Sequence, residues 1–173
     1  MKNKTTTKEI SNKSSSLSIE FLISFAVMCI SYFLYMTSYM DYNTEIMKQI
    51  TSLLNDMNMD SSIKILYVLY AVCMLILFFV GFVIYKVLFK LISCKVEEKK
   101  LLLSIMSAYA VSFIVGWLLI GNIPFIITTI ICNVIEMFIV FAMNYDDIKK
   151  KIIPAFIIRS ILIIINVMAS FVN

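Results

Sequence analysis

Residues 123–172 read IPFIITTIICNVIEMFIVFAMNYDDIKKKIIPAFIIRSILIIINVMASFV, and this stretch decides the fold. It holds two long apolar runs, 123–143 and 152–172, separated by the charged segment 144–151. The hydrocarbon core of a bilayer is about 30 Å thick, so about 20 apolar residues in an α-helix are needed to cross it. Each run therefore predicts a transmembrane helix, and the charged segment predicts a turn at the membrane surface.

Three further apolar runs of similar length precede this pair. In chain order, the five predicted spans are 17–40, 65–85, 101–120, 123–143 and 152–172. The composition agrees, because 61% of the 173 residues are hydrophobic and 15% are charged, against about 45–50% and about 25% in soluble domains. The sequence therefore predicts an all-α polytopic membrane protein with five transmembrane helices.

The N-terminal residues 1–16 are polar, rich in Ser, Thr and Lys, and without hydrophobic periodicity. Such a segment cannot bury enough apolar surface to fold, so we expect a disordered cytoplasmic tail. The first span is longer than the apolar part of a secretory signal peptide, about 7–15 residues, and no A-x-A cleavage site follows it. We therefore expect the span to remain as an anchor and residues 17–173 to form one membrane domain.

The lysines predict the orientation in the membrane. Twelve of them fall at one face of the predicted topology: Lys2, Lys4, Lys8, Lys13, Lys86, Lys90, Lys95, Lys99, Lys100, Lys149, Lys150 and Lys151. The opposite face has only Lys48 and Lys64. Because cytoplasmic loops carry the excess of positive residues, the N-terminus is predicted to be cytoplasmic and Asn173 external. The excess of Lys over Arg, with abundant Ile and Asn, is typical of an AT-rich genome and favours a bacterial cytoplasmic membrane.

The segment 41–64 is the only sizeable piece expected outside the membrane. Its apolar residues recur at helical spacing on one face: Ile46, Ile50, Leu53, Leu54 and Met57. This spacing predicts an external amphipathic helix within 44–57. Such a helix either rests in the outer interface and on neighbouring spans or provides a docking surface for an extracytoplasmic partner or peptide.

Glu136 and Arg159 are the only ionisable residues well inside the predicted spans. They stand at equal distances in sequence from the middle of segment 144–151, and each lies about 10 Å along its helix from the cytoplasmic end. In antiparallel neighbours this places them at the same depth. Because an unpaired charge in the membrane costs several kcal/mol, we predict an interhelical ion pair between them.

Further polar residues share the faces of this pair. Thr129 and Asn133 lie on the stripe of Glu136, and Asn166 and Ser170 lie on the stripe of Arg159. Two interpretations are open. The stripes either hold the last two spans together by interhelical hydrogen bonds, or they line a polar cavity in which the pair gates a substrate or proton path or meets a partner's span.

Small residues recur at every fourth position of the third span: Ala108, Ser112 and Gly116. Such a row lets helices approach closely, so it predicts a packing interface. The interface can lie within one chain or between chains.

The composition excludes most catalytic and cofactor chemistry. The chain has no His and three Gly, which excludes imidazole catalysis and His-based metal sites and leaves no glycine-rich phosphate loop. The four cysteines form no C-x-x-C motif. The lysines flank apolar runs rather than forming a patch for nucleic acid. We therefore expect a non-enzyme without cofactor, metal or nucleic-acid partner.

The second and third spans also suggest a family. A long apolar span ending in KVLFKLISCKVEEKK is followed by LLLSIMSAYAVSFIVGWLL, with a tight turn at Gly121-Asn122. This layout resembles the Yip family, the Ypt-interacting-protein membrane domain, which implies five spans with a cytoplasmic N-terminus. The chain departs from the family at Ser93-Cys94, where a glycine-rich piece is usual, and at Ala110-Val111, where a proline is common.

In its eukaryotic members this family implies an association with Rab-type GTPases. In its bacterial members it implies accessory partners of exporters or protectors against membrane-active peptides. The leading hypothesis from the sequence is accordingly an accessory subunit of an exporter, or an immunity-type protein, that acts by association in the bilayer. Its partner would be an exporter permease or a second copy, contacted through the external helix and the row Ala108, Ser112 and Gly116. The alternative is a small transporter or channel component that uses Glu136 and Arg159.

Overall fold

The computed structural model describes residues 3–45, 48–50, 52 and 62–172. Its helices are α1 (Asn3–Tyr42), α2 (Ser62–Leu91), α3 (Glu98–Leu119), α4 (Phe125–Met143), the short α5 (Tyr145–Ile148) and α6 (Ile152–Val172), with a 3-10 turn at Lys149–Lys151. The described ranges contain no strand, which confirms the all-α prediction.

Four helical segments of the described chain are long and apolar enough to cross a membrane. They are Ile19–Tyr42, Ile65–Leu91, Glu98–Leu119 and Phe125–Met143. These segments correspond to the first four predicted spans. The second extends to Leu91, beyond the predicted end at Tyr85, because Lys86 and Lys90 continue the helix instead of ending it.

The turns between helices have local causes. After α2, Ser93 adopts a φ of 54°, and the N–H groups of Ser93 and Cys94 donate to the carbonyls of Lys90 and Phe89. These two bonds form the Schellman motif that ends many helices, here with Ser in the left-handed position that Gly usually takes. After α3, Gly121 has a φ of +79°, which its missing Cβ permits. Pro124 then precedes α4.

The helices form a ring around a central gap. Helix α3 packs closely along both α1 and α4, and α4, α6, α2 and α3 contact one another in that circular order. In the described parts of the chain, α2 and α4 have no close backbone approach, so they face each other across the ring. A gap bordered by four helices is the usual place for a ligand site in a helix bundle.

Two apolar clusters hold this arrangement together. The first fills the ring near the 92–97 and 144–151 connections, with Tyr85, Leu88, Phe89, Ile92, Leu101, Ile105, Ala108, Met137, Val140, Phe141, Ile148, Ala155 and Ile163. The second joins α1, α2 and α3, with Met28, Tyr32, Met40, Tyr70, Met74, Met106 and Ala110. The first cluster, which we call the basal cluster, closes one end of the ring.

The end closed by the basal cluster also carries the lysines of the inter-helix connections. Lys100 Nζ lies 2.6 Å from Asp147 Oδ2, and this ion pair joins the start of α3 to α5. Lys86 Nζ lies 2.6 Å from Glu98 Oε1 across the 92–97 connection, with both side chains more than half exposed. These exposed pairs tie neighbouring connections at the surface and add little stability.

The row of small residues is buried inside the chain. Ala108 is fully buried, Ser112 is 5% exposed, and Gly116 is also buried. A Cβ added at Gly116 would lie 2.8 Å from Tyr35 Cε2 on α1 and 3.3 Å from Cys132 Sγ on α4. The row therefore lies in a packing interface within the chain, where it lets α1 and α4 approach α3. Contact of the row with a second protein stays a prediction.

The structure also differs from the sequence at the N-terminus. Helix α1 begins at Asn3, so most of the predicted disordered tail 1–16 continues the helix of the first span. The segment contains neither Gly nor Pro. Once a helix has nucleated in the span, extending it requires only one residue at a time, which is far less costly than starting a new one.

The external helix lies mostly beyond the described residues. Of its predicted apolar face, Ile46, Leu53, Leu54 and Met57 fall outside them. Ile50 is helical and packs beside the cluster of α1, α2 and α3. The contact agrees with the interpretation that this segment rests on neighbouring spans.

We expect Ala108→Leu to destabilise the fold by about 1–3 kcal/mol, because three extra carbons overpack a fully buried position. The measurement is thermal unfolding of the full chain in detergent. Val111→Leu is the matched control, since Val111 is 41% exposed on the same helix and tolerates the extra methylene. Equal melting of both variants would contradict the placement of Ala108 in the packing interface.

Candidate functional site

The predicted ion pair between α4 and α6 is present. Arg159 Nη2 donates to Glu136 Oε1 at 3.0 Å, and each residue is only 7% exposed. Glu136 stands seven residues before the end of α4 and Arg159 seven residues after the start of α6. The antiparallel packing therefore brings them to the same depth.

Tyr85 on α2 completes this group. Arg159 Nε donates to Tyr85 Oη at 3.3 Å, and the guanidinium carbon lies 5.0 Å from the centre of the Tyr85 ring. The ring supplies a cation–π contact in addition to the hydrogen bond. Arg159 thus holds α2, α4 and α6 together at one level, beside the fully buried Tyr85.

A cleft of about 480 Å³ lies directly against this group. Its polar lining consists of Tyr35, Tyr109, Ser112, Thr129, Cys132, Asn133, Glu136 and Arg159. Its apolar lining includes Leu77, Val80, Ile84, Phe113, Phe125 and Leu162. All five long helices contribute at least one of these residues, so the cleft occupies the gap inside the ring.

The cleft runs along the helices and ends at the ion pair. On α4 its lining runs from Phe125, the first residue of the helix, to Glu136, a length of about 16 Å at 1.5 Å per residue. Beyond Glu136, the basal cluster continues with Met137, Val140 and Phe141. The ion pair therefore forms the inner end of the cleft, and the apolar cluster separates it from the end that carries Lys100.

A close contact between Gly81 and Tyr109 shapes the wall on the α2 side. The Tyr109 hydroxyl donates to the carbonyl of Leu77 at 3.2 Å. A Cβ at position 81 would collide with that hydroxyl, so Gly81 is the residue that lets the ring of Tyr109 lie against α2. The contact fixes α3 against α2 beside the cleft.

Of the two predicted polar stripes, the one on α4 lines the cleft. Thr129 Oγ1 and Asn133 Nδ2 donate to carbonyls of their own helix, those of Phe125 and Thr129, at 2.9 Å each. Each side chain thus has a hydrogen-bond acceptor within its own helix and also lines the cleft. The side chains of Asn166 and Ser170 on α6 lie outside the described set, so their part of the prediction stays a prediction.

Further polar contacts between helices are made by α3. Ser112 Oγ donates to the carbonyl of Cys132 at 3.1 Å, and Cys132 Sγ donates to the carbonyl of Ser112 at 3.2 Å. At the lysine end, Asn144 Nδ2 donates to Ser104 Oγ at 2.9 Å. These bonds join α3 to α4 and to the residue that follows it. Between α4 and α6, the described residues are joined by the bond from Arg159 to Glu136, and the further hydrogen bonds expected of the two polar stripes stay a prediction.

The lining of the cleft offers groups suited to ligand binding. Of the described residues that line it, only Glu136 and Arg159 are charged, and their charges cancel. Among the described residues, no group of three or more His, Cys, Asp or Glu side chains is arranged to hold a metal ion. The lining combines hydroxyl, amide and charged groups on one side with aliphatic groups on the other, which suits a small amphipathic ligand.

Sequence reasoning missed Tyr85 and Tyr109 as parts of this site. Tyr85 was placed at the end of a span because Lys86 follows it, although α2 runs six residues further. A usable signal was depth, since Tyr85 stands six residues from the true end of α2 and Glu136 seven residues from the end of α4. Tyr109 gave no such signal, because only the packing against Gly81 distinguishes it.

Comparison with known proteins finds no matching family model, curated protein or solved structure. The resemblance to the Yip family stays a prediction.

We expect Glu136→Gln to destabilise the protein by about 3–5 kcal/mol, because it leaves the buried Arg159 charge without a counter-ion. The exchanged pair Glu136→Arg with Arg159→Glu restores opposite charges and should recover most of this loss. Both are measured by thermal unfolding in detergent, with the folded fraction checked by size-exclusion chromatography. Lys86→Ala, which breaks an exposed pair, is the control and should have little effect. A Glu136→Gln protein as stable as wild type would show that the pair does not hold the helices.

Proposed function

We propose that this chain is a small transporter or channel component whose intramembrane cleft binds a solute at the Glu136–Arg159 pair. The observation that carries the proposal is the placement of a buried ion pair at the inner end of a 480 Å³ cleft. Ligand sites commonly have volumes of about 300–1,000 Å³ and a few convergent polar groups among apolar ones. Ionisable residues inside a membrane, moreover, mark solute and ion paths more often than they serve packing alone.

The membrane topology belongs to the same proposal. We take α6 as the fifth span, because its 21 residues are apolar except for Arg159, Ser160, Asn166 and Ser170. The lysines then favour a cytoplasmic N-terminus and an external C-terminus in a bacterial cytoplasmic membrane. In this orientation the cleft extends from the pair toward the external side, and the basal cluster seals the cytoplasmic side.

The accessory or immunity-type hypothesis has less support from the described residues. One of its two contact surfaces, the row through Ala108, is buried within the chain. The other, the helix expected within 44–57, falls mostly outside the described ranges. The cleft therefore supports the transport hypothesis more directly than any described surface supports association.

The first test asks whether water and solutes enter the cleft. Cys132 lines it, so a variant that keeps Cys132 and has Ala at the other three cysteines is treated in membrane vesicles with a charged, membrane-impermeant methanethiosulfonate reagent. We expect labelling from the external side, at least about tenfold faster than from the cytoplasmic side. Thiolate formation and reagent entry both require water, which the apolar basal cluster excludes.

The matched control is the variant that keeps only Cys73, which lies on α2 and is not part of the cleft lining. It should label slowly from either side. If Cys132 were as unreactive as Cys73 from both sides, the cleft would be closed to water and the proposal would fail.

The second test measures function in liposomes. We expect wild-type protein to take up at least one component of a mixture of small metabolites, identified by mass spectrometry, and Glu136→Asp to slow that uptake by about tenfold or more. The shorter side chain withdraws the carboxylate by about 1.5 Å, and a misplacement of about 1 Å can reduce a rate about 100-fold. Glu98→Asp is the control, because Glu98 is an exposed carboxylate in the pair with Lys86. Equal uptake by wild type and Glu136→Asp, or none by wild type, would contradict a transport role.

A further inference from the structure

The ion pair at the inner end of the cleft retains unused hydrogen-bonding capacity. Arg159 has five N–H donors, and two of them are occupied, by Glu136 and by Tyr85. Glu136 Oε1 accepts from Arg159, and a carboxylate accepts about four hydrogen bonds in all. Both members of the pair can therefore bind a ligand without giving up their present contacts.

Arg159 borders the cleft. Among the described residues, the only fully buried polar side-chain atom without a partner is Asn144 Oδ1, which lies beside Ser104. Arg159 Nη1 is thus not a buried atom left without a partner, and the space that Arg159 and Glu136 line together is the cleft.

The charge balance of the cleft selects the ligand. A monovalent anion or cation would pair with one member and weaken the bond to the other, leaving an excess charge in a site of low dielectric constant. A zwitterion avoids this, because its two charges compensate those of Arg159 and Glu136 together. Because the guanidinium and the carboxylate are adjacent, with Arg159 Nη2 3.0 Å from Glu136 Oε1, a ligand that carries both charges on a short chain can contact both members.

On this basis, and resting on the proposed function, we propose that the cleft binds a small zwitterion, with its ammonium group on Glu136 and its anionic group on Arg159. The apolar remainder of the ligand lies along Leu77, Val80, Ile84 and Leu162. Two sources supply this chemistry: a free amino acid with an apolar side chain, and the ethanolamine headgroup of a phospholipid. The hydrogen-bonding requirement is the same for both.

The test compares ligands that share one apolar group and differ in charge. L-leucine carries both charges, leucinamide only the ammonium, and 4-methylpentanoate only the carboxylate. Glycerophosphoethanolamine represents the lipid headgroup. Each is added at millimolar concentration to the full chain in detergent, and both the thermal midpoint and the rate of Cys132 labelling are measured. A ligand that binds the folded state raises the midpoint with concentration, and a ligand in the cleft also slows labelling.

We expect L-leucine or glycerophosphoethanolamine to raise the midpoint by several degrees and to slow Cys132 labelling at least threefold, with no effect of leucinamide or 4-methylpentanoate. Leucine alone identifies a free amino acid, and the phosphoethanolamine alone identifies a lipid headgroup. The double variant Glu136→Gln with Arg159→Met removes both charges without leaving either unpaired, and it should lose the response. The matched double variant Lys86→Ala with Glu98→Gln removes an exposed pair outside the cleft and should keep it.

The outcomes separate this inference from the proposed function. If a singly charged analogue bound as well as leucine, the zwitterion would be wrong while solute binding in the cleft would stand. If Cys132 were reactive but none of the four ligands changed its rate or the midpoint, the zwitterion would again be wrong. If Cys132 were unreactive from both sides, the cleft itself would be closed and the proposed function would fail first.

Discussion

The structure depends on keeping two charges in an apolar environment. Glu136 and Arg159 are each 7% exposed, and either charge alone would cost several kcal/mol. The requirement that they meet fixes the depth of α6 against α4, and with it the level of the connection 144–151. The bond from Arg159 to Tyr85 extends the same requirement to α2. One guanidinium therefore sets the relative heights of three helices.

The cleft follows from an unequal distribution of side-chain size. Small residues on α3, at Ala108 and Gly116, draw α1 and α4 onto one side of that helix. On the opposite side of the ring, the described parts of α2 and α4 do not approach closely. Between the pair and the 144–151 connection, this gap is filled by large side chains such as Phe89 and Phe141. From the pair toward Phe125, the gap stays open as the cleft. The boundary between filled and open space is the ion pair.

The sequence predicted the features that depend on the spacing within one helix, or on equal distances from one turn between two helices. The ion pair was predictable because Glu136 and Arg159 are the only deep charges and lie at equal distances from a turn. The row of small residues was predicted to be a packing interface, but the helices that it contacts were not predicted. Residue spacing shows which residues share a face of a helix and does not show which helix packs against that face. Tyr85 was missed because Lys86 looked like the end of a span. A polar cavity at the pair was one of the two interpretations that the sequence left open, but its volume and lining depend on distances between helices that no single-helix pattern contains.

The neutrality of the cleft also bears on the energetics of transport. Moving one elementary charge through a membrane potential of 100 mV changes its free energy by about 2.3 kcal/mol. A zwitterion bound across Arg159 and Glu136 carries no net charge, so its passage would not couple to the potential. Passage to the lysine end would nevertheless require the basal cluster around Phe141 to separate, and with it the contact of Arg159 with Tyr85. Under the proposed function, the ion pair would be the binding group and the basal cluster beyond it the last barrier, so occupancy of the cleft would be coupled to the packing of α2 against α6.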